Sequence, residues 1–380
     1  MKKFLSVLNS LIAVFIFLFI SASSLRAEDI KIKIENGVQV VYNPKNPSPL
    51  PGTLSQLILM EDLCIGDEEG EEFIFSQTRS VQVDEEENIY VLDLKEVCVK
   101  VFDKNGKHLR TFGEKGQGPG ELQYPSRMHL VAGKEILIYD PANARLSFYS
   151  LQGKCLREIP TGKYQFQRTI PDSKGNIITE LNIFDDKHWT TEIKKFDPNL
   201  NPIITIEAVE MGEIKPNVVT LVNPAFSVRV MKNDNIVWGY PLDFKYEIFV
   251  VNPEGKTIRK IVKDYDPVKI TKKDKEKLIK DTLGDRELPA GYKLEFPKKY
   301  YPYWIVMCGD EGRIYVRTYE QNKEGNFRYD VFDPEGRYIA KFYLSEVDLL
   351  CVVKNHKMYT MVWEDEKGIP VVKRYSMVWK

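Results

Sequence analysis

Four arginines could together form a binding site for an anion. They occupy corresponding places, at or near the start of the first strand in successive units of a repeated pattern, and they are Arg79, Arg127, Arg168 and Arg229. A guanidinium group presents N–H donors in a planar fork that suits carboxylates and other oxyanions. Such a cluster would favour an anionic ligand over a divalent metal ion. The alternative is that the arginines pair with carboxylates that follow the second strands, such as Asp93, Asp140, Glu180 and Asp243.

Acid–base chemistry has one candidate residue. The histidines fall in different repeat units and form no HExxH motif or i, i+4 pair, and they are His108, His129, His188 and His356. His129 lies on the first strand Arg127–Val131, so it is the candidate for an acid–base or metal-binding role; the alternative is a structural or solvated histidine. No other catalytic residue, no metal site and no cofactor is predicted.

An aromatic cluster follows two lysines in the later part of the chain, at Lys298–Trp304. We expect Tyr301, Tyr303 and Trp304 to form a wall beside the arginines, because aromatic faces bind sugars and peptides well. The alternative is that these rings pack an insertion onto the surface of the fold. The glycine-rich stretch Gly113–Gly120 lacks the Gly-Lys-Ser/Thr ending of a phosphate loop, so we interpret it as a connector.

The elements that position these residues repeat along the chain. Each unit has a polar turn, an apolar strand and then a hairpin corner in which Asp or Asn caps the turn and Gly accepts positive φ. The corners recur at Asp103, Ser150, Asp197, Asn252 and Asp333, and the apolar strand recurs six times. One such unit cannot bury both of its faces alone. Six four-stranded copies therefore predict an all-β fold, a six-bladed β-propeller.

The last unit contains three strands, one fewer than a full blade requires. The strand Leu57–Ile65 has no unit of its own, and we predict that it supplies the missing outer strand of the last blade, which leaves no open edge. The propeller then spans residues 57–380. An insertion at about residues 265–299 should hold one short helix, with Thr271 as N-cap.

The first full unit resembles an NHL-repeat propeller. The resemblance rests on three matching stretches: Asp84-x3-Asn88-Ile89-Tyr90-Val91-x-Asp93, Val99-x-Val101-Phe102-Asp103-x2-Gly106-Lys107 and Gly116-x-Gly118-Pro119-Gly120-Glu121-Leu122. It is strongest over Val81–Tyr149 and stays in register to about Phe342. The chain is most similar to the exported bacterial six-bladed branch of that group. This resemblance implies the fold but no single function, because such propellers host ligand binding, scaffolding and occasional lyase or lactonase activity.

The N-terminus predicts export. Residues 1–27 combine a basic start, the apolar run Leu11–Ile20 and a small-residue ending at Ala27, as in a cleaved secretory signal peptide. An uncleaved anchor helix over about residues 4–25 is the alternative. Residues 28–56 should form an extended segment with a hairpin at its start. After signal removal no stable membrane span is expected, and the protein would be periplasmic or extracellular.

These patterns favour a binding protein. We expect an anionic small molecule, a peptide or a protein partner to bind at one face of the central channel, without catalysis. Lys and Arg number 54 against 55 Asp and Glu, which does not favour nucleic acid. Two alternatives stay open, a metal-dependent lyase or lactonase that uses His129, and an envelope scaffold. The sequence identifies neither the ligand, nor the oligomeric state, nor any pairing among the five cysteines.

Overall fold

The computed structural model describes residues 30–50, 52, 55–66, 74–184, 188–213, 215–284 and 286–380. The predicted signal peptide, residues 1–27, lies outside the described residues. Within them the chain forms six antiparallel blades around a central channel, so the predicted all-β, six-bladed propeller is confirmed.

The described chain begins with a hairpin and then a single strand. The hairpin joins β1 (Lys31–Glu35) to β2 (Val38–Asn43), and β3 (Leu57–Ile65) follows. Asn36 and Gly37 make the hairpin turn with φ of 50° and 79°, since these residue types tolerate the left-handed conformation that a two-residue turn requires. Strand β2 pairs in parallel with the outer strand of blade 4, which extends that blade to six strands.

The first three blades are regular four-stranded sheets. Blade 1 consists of β4 (Thr78–Val83), β5 (Ile89–Asp93), β6 (Cys98–Phe102) and β7 (His108–Phe112). Blade 2 consists of β8 (Arg127–Val131), β9 (Glu135–Asp140), β10 (Arg145–Ser150) and β11 (Cys155–Pro160). Blade 3 consists of β12 (Phe166–Pro171), β13 (Ile177–Phe184), β14 (His188–Phe196) and β15 (Pro202–Glu213).

The later blades carry the insertion and the closure. The short β16 (Val218–Thr220) precedes blade 4, which consists of β17 (Ser227–Val230), β18 (Ile236–Gly239), β19 (Glu247–Val251) and β20 (Thr257–Lys263). The insertion contains helix α1 (Lys272–Leu283) and β21 (Lys293–Glu295). Blade 5 consists of β22 (Ile305–Cys308), β23 (Ile314–Gln321), β24 (Phe327–Phe332) and β25 (Tyr338–Leu344). Blade 6 adds β26 (Asp348–Lys354), β27 (Lys357–Val362) and β28 (Val371–Trp379).

The chain ends meet in blade 6, as predicted. Strand β3 pairs with β28 in antiparallel register, from Val372 opposite Ile65 to Trp379 opposite Leu57. The helix prediction is also confirmed: α1 is the one α-helix among the described residues, and Thr271 caps it through a reciprocal bond with Asp274.

The hydrophobic core lies between neighbouring blades, which pack face to face. Tyr90, Leu92 and Val99 of blade 1, for example, pack against Met128 and Ile136 of blade 2. The polar turn motifs stand at the blade margins. Asp84 accepts hydrogen bonds from the backbone N–H of Asn88 and from the hydroxyl of Tyr90, at 2.8 and 3.0 Å. These hydrogen bonds fix the turn that joins β4 to β5 in blade 1.

Antiparallel order fixes which segments share a face of the propeller. In every blade the inner strand begins, the second strand ends, the third begins and the fourth ends on one face, which we call the upper face. The blade-to-blade connectors therefore also lie there. The insertion and the Lys298–Trp304 cluster join blade 4 to blade 5, so they share the upper face with the starts of the inner strands. No helix in the described ranges is long and apolar enough to cross a membrane.

Candidate anion-binding site in the central channel

The inner strands of blades 1 to 4 are neighbours in space and bring the four arginines together. Strand β8 contacts both β4 and β12, and β12 contacts β17. The Arg127 side chain lies within electrostatic range of those of Arg79 and Arg168. Arg229 is within range of Arg168 and Arg127. The four positions chosen from the repeat thus form one cationic cluster, which we call the channel arginines.

The channel arginines differ in their hydrogen bonds. Arg79 donates from Nε to the backbone oxygen of Ser126 at 3.3 Å. Arg229 donates from Nη1 to its neighbour Val228 at 2.7 Å, while its Nε and Nη2 lie 3.2 and 2.9 Å from the sulfur of Met307. Thioether sulfur is a weak acceptor, so these donors are poorly satisfied. Arg127 makes no hydrogen bond or ion pair with any described residue.

Glu180 is the carboxylate that pairs with this cluster. Its Oε1 lies 3.4 Å from Nε of Arg168, and the residue is only 6% exposed. Burial raises the pKa of Glu180 above its ordinary value, against the opposing effect of Arg168, Arg229 and Arg127. The Glu180 carboxylate, whose ionised form is destabilised by burial, therefore lies within range of three guanidinium groups.

The other three suggested partner carboxylates bind elsewhere. Asp93 accepts from the backbone N–H groups of Ser76 and Gln77, and Asp140 accepts from those of Gln123 and Tyr124. Asp243 lies near Lys245 on the surface, at 3.9 Å. Pairing of the arginines with blade carboxylates is thus found for Arg168 and Glu180 but not for the other three pairs.

The arginines stay charged at a cost. Burial, followed by repulsion from Arg168 and Arg79, lowers the pKa of Arg127 to about 10. Burial and repulsion from Arg168 lower the pKa of Arg229 to about 9. Both groups remain protonated at neutral pH, and both would be stabilised by an anion placed among them.

His129 lies two residues beyond Arg127, in the same channel. Burial, with the nearby charges of Arg127 and Arg229, lowers its pKa to about 3. The imidazole is therefore neutral at physiological pH. A group with that pKa is a poor proton acceptor near neutrality, which weakens an acid–base role for His129.

The aromatic candidates are used mainly in packing. Tyr303 is fully buried and donates to the backbone oxygen of Glu247 at 2.7 Å, so it cannot contact a ligand in this conformation. Tyr301 stacks on Phe244 with ring centroids 4.7 Å apart. The ring of Trp304 is covered by the Arg317 guanidinium at 4.5 Å. These contacts agree with the alternative that the rings pack the insertion onto the fold. Because Tyr303 is buried, it is no longer a candidate for ligand binding.

Sulfur-containing side chains complete the channel near Arg229, and sequence reasoning missed them. Met307 and Cys308 lie at the end of β22, and Cys351 lies on β26 within electrostatic range of Arg127 and Arg229. Burial raises the pKa of both thiols to about 12, so they are neutral. Their positions on the inner strands of blades 5 and 6 could have indicated from the sequence that they lie near the channel. All five cysteines are free, and no group of three or more His, Cys, Asp or Glu in the described ranges could hold a metal ion.

Fold and channel together define a six-bladed β-propeller with a cationic inner ring. A family model, the 6-bladed beta-propeller family DUF5128, matches residues 68–211, well under half of the chain. The matched segment contains blades 1 and 2, most of blade 3, and three of the four channel arginines.

Solved structures show the same fold at low sequence identity. A Bacteroides fragilis protein, named for its expected export, is 11% identical with a TM-score of 0.56, over 90% of this chain and 99% of that chain. A Staphylococcus aureus virginiamycin B lyase is 8% identical with a TM-score of 0.46, over 85% of this chain and 100% of that chain. At these identities the likeness concerns the fold alone.

A curated relative matches one part of the chain. The Drosophila melanogaster protein brain tumor is 29% identical over 107 residues, which cover 27% of this chain and 10% of that protein. The chain thus spans about a tenth of the length of that relative.

Proposed function

We propose that this protein is an exported propeller that binds an anionic ligand at the upper mouth of its central channel, and that it binds rather than catalyses. The observation that carries the proposal is the state of Arg127. This guanidinium lies among other channel arginines and makes no ion pair or hydrogen bond with the described residues. A half-buried cation beside other cations and without a counter-charge is destabilised, and a bound anion would relieve that repulsion.

Three further features support the proposal. The neutral state of His129 favours binding over acid–base chemistry. The motif residues around Asp84 and Asp103 favour an NHL-type repeat of the exported bacterial branch. The Bacteroides fragilis neighbour is named for export, in line with the signal peptide expected at residues 1–27.

Thermal denaturation with a small panel of solutes tests the proposal. Sodium acetate, malonate and sulfate are titrated at constant ionic strength, with neutral acetamide as the solute control. At saturation we expect at least one anion to raise the Tm by about 2 °C or more, since ligands that bind only the folded state stabilise it by mass action.

Two variants link that shift to the site. Arg127→Gln should lose the shift. Arg157→Gln should keep it, because Arg157 lies on the outer strand of blade 2 and pairs with Glu135 at 2.8 Å. The proposal fails if no anion gives a saturable shift, or if the two variants respond alike.

A further inference from the structure

We infer that the ligand carries two negative charges on a small oxyanion, as a dicarboxylate or an inorganic dianion does; the inference rests on the proposed function. The charges of the channel lead to this number. Arg127, Arg168 and Arg229 contribute three positive charges, and the carboxylate in range of all three is Glu180. At least two positive charges thus stay uncompensated when Glu180 is ionised, and Arg79, the fourth channel arginine, adds to them from its place in range of Arg127. A single-charge ligand would still leave one of them without a counter-charge.

The available donors agree with a ligand that has two acceptor groups. Arg127 offers its whole donor fork, and the Nε and Nη2 groups of Arg229 contact only the sulfur of Met307. Oxyanion acceptors would replace the sulfur contact with a charge-assisted bond and fill the Arg127 fork at the same time. One carboxylate could use one fork well but not both.

The distribution of charge around the channel gives the ligand an orientation. Arg127, Arg168 and Arg229 belong to consecutive blades, 2 to 4, and so occupy one side of the ring. The side formed by blades 5 and 6 brings Met307, Cys308 and Cys351 toward Arg229 and Arg127. The charged groups of the ligand therefore face blades 2 to 4, and its uncharged part faces the sulfur side.

Glu180 competes with the ligand for the same cations. It is buried, it approaches Arg168 at 3.4 Å, and its Oε1 has no hydrogen bond within the described structure. Its carboxylate therefore partly plays the role that an incoming anion would play. Replacing Glu180 with Gln removes the competing charge while keeping the side-chain size, so it should tighten binding of a dianion.

Isothermal titration calorimetry at constant ionic strength and pH 7.5 tests the inference. The probes are malonate, sulfate and acetate, titrated into the mature chain. We expect one site per chain and at least about 10-fold tighter binding of malonate or sulfate than of acetate, because charge-assisted bonds to two arginines add to one another. The malonate and sulfate arms distinguish a dicarboxylate ligand from an inorganic dianion.

Three variants distinguish failure of the dianion inference from failure of the proposed function. Glu180→Gln should bind the preferred dianion at least about 3-fold more tightly than the wild type does. Arg157→Gln should bind it with the wild-type affinity. Acetate binding as tightly as both dianions, with loss in Arg127→Gln, would overturn the dianion inference and leave the proposed function standing. Weaker dianion binding by a folded Glu180→Gln variant would also overturn it. If none of the three anions binds, the proposed function and the inference fail together.

Discussion

Arg127 and Arg168 occupy similar places on adjacent inner strands, yet their surroundings differ because of one carboxylate. Glu180 lies inside β13, a strand that continues to Phe184, so its side chain meets Arg168 across the strand pair. Asp140 ends β9 in blade 2 and accepts instead from the backbone N–H groups of the connector. Buried N–H groups need acceptors, and this requirement takes Asp140 away from Arg127.

The pH dependence of stability should report the state of His129. Its folded-state pKa of about 3 is below the ordinary value of about 6.5. Between these values the unfolded chain binds more protons than the folded chain, so His129 lowers stability as the pH falls from about 6.5 toward 3. We expect His129→Gln to lose less stability than the wild type between pH 7 and pH 4, as measured by urea denaturation at each pH.

Other groups also titrate in that range, so the pH profile of the variant has to be compared with that of the wild type. The pKa of Glu180 is raised in the folded state, so its contribution has the opposite sign and falls as the pH rises through that pKa. Only the difference between variant and wild type isolates His129. A pH profile of His129→Gln that matches the wild type would contradict a neutral His129 in the folded protein.

At the scale of elements, the N-terminal hairpin ties two blades together from outside. Strand β2 extends blade 4, and its last residue, Asn43, reaches across to blade 5. The Asn43 side chain donates to the backbone oxygens of Val262 and Gly336 at 3.2 and 3.0 Å, and it accepts from the N–H of Tyr338 at 2.7 Å. A single buried amide thus satisfies backbone groups of both blades.

Asn43→Ala should therefore destabilise the protein. Three hydrogen bonds to buried backbone groups are lost, and each is worth about 1 kcal/mol, so we expect a loss of about 2–3 kcal/mol in the free energy of unfolding. Urea denaturation measures it. Asn105→Ala, at an exposed corner position, should change stability by less than about 0.5 kcal/mol. Equal effects of the two substitutions would show that Asn43 does not join the blades.

The hairpin also shows where prediction from sequence stops. Alternation of apolar and polar residues with Asn36-Gly37 between them predicts the hairpin itself, because turn and strand signals are local. Its docking on β20 depends on a parallel pairing with residues more than two hundred positions away, and no local pattern contains it.

The candidate site follows the same division. The repeat predicted four channel arginines, since equivalent repeat positions occupy equivalent places in a ring. It could not predict that Tyr303 is buried. That burial depends on blade 4, where a Cβ on Gly239 would come within 2.5 Å of the Tyr303 hydroxyl. The space for the ring exists only once two blades have packed together.

At the scale of the whole molecule, the ring is closed by strand β3. Without it, β28 would present an unpaired outer edge in blade 6, and the core would lose the buried side chains of Leu57 and Ile65. The buried side of β3 also touches the core between blades 6 and 1, where Ile65 packs with Phe75 and Val81. Closure therefore supports β4, the inner strand that carries Arg79.

Removing β3 should open the ring, and returning it as a peptide should close it. A chain starting at residue 74 should have a free energy of unfolding at least about 3 kcal/mol lower than that of a chain starting at residue 55. The reason is that it lacks two large buried apolar side chains, Leu57 and Ile65, and the whole pairing of β3 with β28. A chain starting at residue 55, which lacks the hairpin but keeps β3, is the matched control and should retain a cooperative urea transition. Adding a peptide of residues 55–66 to the shorter chain should restore that transition, because the strand pairs through its backbone and needs no covalent link to blade 1. If the two chains unfold at the same urea concentration, or if the peptide has no effect on the shorter chain, then β3 does not hold the ring closed.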